Sequence, residues 1–106
     1  MSTYILLTQW TDQGIKNAKG SPKRAEDSRA MAKKFGVEWK SFFMTMGAYD
    51  FVVTVEAPDD QAIAKFVIAL GTQGNVRTTT LKAFTESDSS VTTPLRYDTA
   101  LEADVS

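Results

Sequence analysis

A ferredoxin-like β-α-β-β-α-β sandwich of the α+β class is the fold this 106-residue chain predicts. Three observations carry that expectation. The apolar period switches between two and 3.6 in that order along the chain, and two alternating segments fold back at Gly47-Ala48-Tyr49-Asp50. The second of these runs directly into a helix start at Ala57-Pro58-Asp59-Asp60. Right-handed crossovers would then lay both helices on one face of a four-stranded antiparallel sheet.

Residues 3–10 read as the first strand, with Tyr4, Leu6, Thr8 and Trp10 on one face and Ile5, Leu7 and Gln9 on the other. A polar connection follows over 11–21, where Gly14, Asn17 and Gly20 mark irregular backbone and residues 14–17 allow a single helical turn. Ser21-Pro22 signals a helix start, because the serine oxygen can accept an early backbone N–H and proline at the first helical position wastes no donor. That helix is expected to reach Phe35. Its inner face is Ala25, Ser28, Met31, Ala32 and Phe35, and Gly36 is the left-handed cap.

The second strand is expected over 37–46, with Phe42, Met44 and Met46 on one face and Val37, Trp39 and Phe43 on the other. The third runs over 51–57, where Phe51, Val53 and Val55 alternate with Val52, Thr54 and Glu56. Pro58 stops it, and Asp59 or Asp60 caps a second helix with an apolar stripe of Ala62, Ile63, Phe66, Val67 and Leu70, ended by Gly71 and Gly74. Residues 76–84 form a threonine-rich last strand, since β-branched residues fit a pleated surface. The domain is therefore expected to occupy residues 1–84. Residues 85–106 are expected to form a polar C-terminal tail, flexible or docked on a neighbour through Pro94-Leu95-Arg96-Tyr97.

Composition closes off much chemistry. The chain has no cysteine and no histidine, which removes thiolate nucleophiles, disulfides, imidazole bases and the usual zinc and haem ligands. The serines lack an imidazole partner for a hydrolase triad, and the glycines form no phosphate-binding fingerprint. No cofactor and no metal are expected. Nor does any stretch approach the roughly 20 apolar residues of a membrane helix, and no basic region precedes an apolar one at the start, so a cytoplasmic protein is expected.

The net charge of −1 divides unevenly, +4 over residues 1–46 and −5 over 47–106. The basic residues Lys16, Lys19, Lys23, Arg24, Arg29, Lys33, Lys34 and Lys40 would attract a polyanion. They are interleaved with Glu26, Asp27 and Glu38 and lack adjacent aromatics for base stacking, so a solvated helix face is expected rather than a nucleic-acid site.

If both helices cover one side of the sheet, the other side needs a cover of its own, because strands one to three carry apolar groups on both faces. A second copy of the same sheet is the economical cover and would give a dimeric α+β barrel. Burial of about 600 Å² of apolar surface per partner would contribute on the order of 15 kcal/mol gross, before association costs of similar scale. The alternative is a monomer whose sheet is covered by the tail or by the 11–21 loop.

Four segments in the same order resemble the small bacterial GYD-domain proteins: Tyr4-Ile5-Leu6-Leu7-Thr8-Gln9-Trp10-Thr11, Gly47-Ala48-Tyr49-Asp50, Val55-Glu56-Ala57-Pro58-Asp59-Asp60 and Gly74-Asn75-Val76-Arg77-Thr78. Ala48 separates Gly47 from Tyr49, a departure from the literal triplet. The resemblance implies a dimeric α+β barrel and no single chemistry, since relatives of that barrel include cofactor-independent monooxygenases, isomerases, haem-degrading enzymes and ligand sensors. The missing histidine argues against the haem variants.

The residues that carry candidate chemistry are Tyr49 and Asp50, which could move or orient a proton, with Tyr4, Thr8, Trp10, Trp39 and Arg77 as candidate ligand-binding residues. Each also has a structural reading: Asp50 as an acceptor for turn N–H groups, Tyr49 as a packed ring, Arg77 in an ion pair, and the tryptophans as sheet or interface core. Three functions follow: a homodimer binding a small apolar or aromatic ligand, a cofactor-independent monooxygenase or isomerase, or an interaction module working through its tail.

Overall fold

In the computed structural model, which describes residues 1–88, the chain forms a four-stranded antiparallel sheet in the order β2-β3-β1-β4. Strand β1 spans Ser2–Trp10, β2 Glu38–Met44, β3 Phe51–Ala57 and β4 Val76–Ala83. Three helices accompany them: α1 (Asp12–Lys16), α2 (Ser21–Lys34) and α3 (Asp60–Thr72), with a 3-10 turn at Ala18–Gly20. This is the expected ferredoxin-like arrangement, with a short extra helix in the first crossover. The tail segment Pro94-Leu95-Arg96-Tyr97 lies outside the described residues.

Register explains which side chains share a face. Leu6 stands opposite Val53 on one side and Thr80 on the other, and Tyr4 stands opposite Val55 and Lys82. Tyr4, Leu6, Val53, Val55 and Ala57 are buried together with Ala32 of α2 and Ile63, Phe66 and Leu70 of α3, so both long helices pack on this inner face. Burying a side chain of this size contributes about 1.5–3 kcal/mol relative to exposure. The apolar stripe of α3 is therefore what fastens that helix to the sheet, and the Asp59 carboxylate, accepting the Ala62 N–H at 2.8 Å, fixes where it begins.

Strand β2 departs from simple alternation. Trp39 pairs with Val55, but the next pair is Ser41 with Thr54, so Lys40 is an extra residue in the ladder. This bulge puts Trp39 on the inner face with Phe42, and not with Phe43 as strict period-two reading requires. It also has an electrostatic use. Glu38 and Glu56 lie directly opposite, and the Lys40 ammonium sits 2.9 Å from one carboxylate and 3.7 Å from the other. The strand ends at Met44, so Met46 lies in the hairpin and is fully exposed.

Two other boundaries differ from expectation. Helix α2 starts at Ser21 with Gly20 in the capping position, one residue ahead of the serine-cap reading. Helix α3 continues through Gly71 to Thr72, and the chain turns at Gly74, whose φ of +80° is left-handed. Gly36 takes the left-handed conformation expected after α2, with φ of +74°.

Among the described residues no helix covers the outer face. Phe43 and Leu81 are 59% and 44% exposed there, beside half-buried Ile5, Leu7 and Val52. Among the described residues no helix is long and apolar enough to cross a membrane.

Candidate functional site

Helix α2 does not press onto the sheet along its whole length. Ala32 is fully buried at its C-terminal end, whereas Ala25 and Ser28 are only half-buried. These two small residues face the widest side chains of the sheet, and between them lies a cavity of about 230 Å³. Its sheet wall is aromatic. Trp10 meets Phe51 edge-on at 4.8 Å between ring centroids, Phe51 lies 5.2 Å from Phe42, and Phe42 stacks on Trp39 at 6.2 Å. Leu6, Val53 and Leu70 close its floor, and the largely exposed Met44 stands at the edge strand.

Among the described residues three hydrophilic side chains line this apolar space: Thr8 from β1 and Arg24 and Ser28 from α2. Thr8 is only 8% exposed, yet its hydroxyl has no hydrogen-bond partner among the described residues. Trp39 contributes a further donor. Its Nε1 is buried without a partner among the described residues, and the Arg29 guanidinium lies 5.7 Å from its ring. Arg24 is held in place by backbone carbonyls, donating to Asn17 O at 2.7 Å and to Gly14 O at 3.5 Å.

The bulge and the small face of α2 thus bring Thr8, Trp10 and Trp39 together. The other candidates lie elsewhere. Tyr4 is on the inner face but toward the opposite end, where its hydroxyl donates to the Asp60 carboxylate, which also accepts from Lys82 Nζ at 3.0 Å. Arg77 is exposed and pairs with Gln9 on the outer face. The Asp50 carboxylate accepts the Trp10 N–H at 2.8 Å, while its own N–H donates to Thr8 O at 2.9 Å. Asp50 thereby extends the β1–β3 ladder past the end of its regular pairing. Tyr49 is half-buried in the same hairpin, with its carbonyl accepting from Thr45 Oγ1 at 2.5 Å.

Arg24 and Ser28 were not among the sequence candidates. Their signal was present but ambiguous: Ser28 falls on the inner stripe of α2, where a small polar residue opposite two tryptophans leaves room. Among the described residues no three carboxylates gather to form a cation site.

A family model described as the GYD domain matches residues 4–91. The chain belongs to the GYD-domain family. A Thermus thermophilus relative, named glutamine synthetase and cystathionine beta-lyase binding protein, is 34% identical over 89 residues, which cover 83% of this chain and 94% of the relative. Among solved structures, the GYD fold superposes on FFRP-DM1 with a TM-score of 0.58 at 21% identity, over 79% of this chain and all of the other. It superposes on the Mycobacterium tuberculosis leucine response regulatory protein LrpA with a TM-score of 0.53 at 18% identity, over 79% of this chain and 51% of that one. These two likenesses are of fold.

Proposed function

We propose that this GYD protein works by binding rather than turnover, taking a small apolar or aromatic molecule into the cavity between α2 and the sheet. The observation that carries this reading is the cavity itself, a space of about 230 Å³ walled by four aromatic rings. Drug-sized ligands occupy pockets of roughly 300–1,000 Å³, so the occupant is smaller, of the order of one substituted ring. Asp50 and Tyr49 supply no acid–base pair to this space, since neither lines it. The reading includes a cytoplasmic homodimer that presents one cavity on each side, and what supports pairing through the outer sheet faces is the exposure of Phe43 and Leu81 there.

The test is calorimetric titration with ethylbenzene. The reading expects saturable binding, abolished when Ala25→Leu fills the cavity and unaffected by Phe43→Ser on the outer face. Absence of heat with both ethylbenzene and toluene, or binding that survives Ala25→Leu, would overturn it.

A second reading, docking to a metabolic enzyme, is favoured by the 34% identity to the Thermus binding protein. Immobilised protein would then retain purified glutamine synthetase or cystathionine beta-lyase.

A further inference from the structure

We infer that the molecule this cavity accepts carries an anionic head on its apolar body: a small aryl or branched alkyl carboxylate, taken in preference to the matching amine or amino acid. The inference rests on the ligand-binding reading above and adds the head group to it.

The charges of the cavity wall are one-sided. Arg24 is the single charged residue lining it among the described residues, and neither Asp nor Glu does. The acidic residues of α2, Glu26 and Asp27, are exposed and do not line the cavity. An ammonium group brought into this space would lose its water and find no carboxylate, and an unpaired buried charge is the costliest thing a binding site can create. An α-amino acid carries that same ammonium. A carboxylate instead meets the positive potential of Arg24, whose guanidinium is already pinned at the rim by Asn17 and Gly14 carbonyls. Arg24 acts on the ligand through its charge, not through a spare N–H.

The uncharged polar groups agree. Tryptophan N–H and guanidinium are donor-only, whereas hydroxyls both donate and accept. Among the described residues the cavity wall therefore offers Thr8, Ser28 and Trp39 as donors and holds no carboxylate or amide side chain. One of these donors, the Trp39 Nε1, is buried without a partner among the described residues. Buried polar groups without partners are rare in folded proteins and call for an explanation, such as a missing acceptor. A carboxylate has two acceptor oxygens and roughly four lone-pair positions to meet them. The aromatic wall fixes the body of the ligand and the donor set fixes its head.

Titration calorimetry at pH 7.5 with four probes sharing one ring tests this: phenylacetate, 2-phenylethylamine, L-phenylalanine and ethylbenzene. Phenylacetate is expected to bind at least tenfold more tightly than either the amine or the amino acid. Thr8→Val and Arg24→Gln are each expected to weaken phenylacetate fivefold or more while leaving ethylbenzene within twofold, which also shows that the variants are folded. The indole N–H resonance of Trp39 should move with phenylacetate and not with ethylbenzene. If ethylbenzene binds but phenylacetate is no tighter than 2-phenylethylamine, the head-group inference falls and the cavity reading stands. If none of the four binds, both fall.

Discussion

Tyr4 and Thr8 lie on the same face of β1, four residues apart, and the structure uses them differently. Tyr4 is 2% exposed, and burial followed by the adjacent Asp60 carboxylate pushes its phenol above the usual range. Asp60 is held below the usual carboxylate range, first by the Tyr4 hydroxyl and then by Lys82, while Asp60 raises Lys82. The pH dependence follows from these directions. The depressed Asp60 contributes stability that is present at neutral pH and lost as pH falls below about 4. The raised Tyr4 and Lys82 contribute stability that is complete at neutral pH and lost as pH climbs past about 10. Asp60→Asn should lower the melting temperature more at pH 7 than at pH 3. An equal loss at both pH values would show that the charge of Asp60 does not matter. None of this was legible from residues, because Tyr4 and Asp60 are 56 positions apart. Arg77 likewise carries no local mark of the face it takes until the β1–β4 register is known.

At the scale of elements, the sequence carried the strand and helix order because each long element has a buried stripe of the right period. Strand β3 alternates strictly between buried and half-buried over all of Phe51–Ala57, and its ends coincide with the expected ones. The bulge at Lys40 was not legible. An inserted residue changes pairing without changing composition, and the facing Glu38 and Glu56 that Lys40 bridges meet only after β2 and β3 have paired. The connection after β1 was also hard to read, because its shape depends on a close approach. A Cβ on Gly14 would stand 2.0 Å from Asn75 O, so α1 can lie against the start of β4 only with glycine there. Around it, Thr11 N donates to Asn75 O at 3.0 Å and Thr11 Oγ1 to Gly74 O at 2.5 Å. Gly14→Ala should therefore cost about 2 kcal/mol or more through overpacking against backbone. Gly71→Ala, in α3 with nothing within 4 Å of the added methyl, should stabilise by about 0.5–1 kcal/mol. Chemical denaturation of the two variants checks the pair, and equal effects would contradict the contact at Gly14.

At the scale of the whole molecule, the sheet separates two surfaces. Its inner face supports the helices and, where Ala25 and Ser28 stand back, encloses the cavity. The outer face presents Phe43 and Leu81 with Ile5, Leu7 and Val52 around them and, among the described residues, no helix over them. The need for a cover was readable in the sequence, since strands with apolar residues on both sides cannot be satisfied by one layer of helices. The cavity was not, because a void depends on the height at which α2 rides over Trp10 and Trp39, a distance no linear pattern encodes. Its rings were visible as aromatic residues, but their meeting required the bulge. If the outer face is self-complementary, the paired sheets form one continuous core while each cavity remains reachable from its own side.

Sedimentation equilibrium at micromolar concentration tests that organisation most directly. Pairing through the outer face predicts a particle of twice the 11.7 kDa chain mass, reduced to the single-chain mass by Phe43→Lys combined with Leu7→Lys. A lone 11.7 kDa species in the unaltered protein, or a dimer that persists in the double variant, would contradict it.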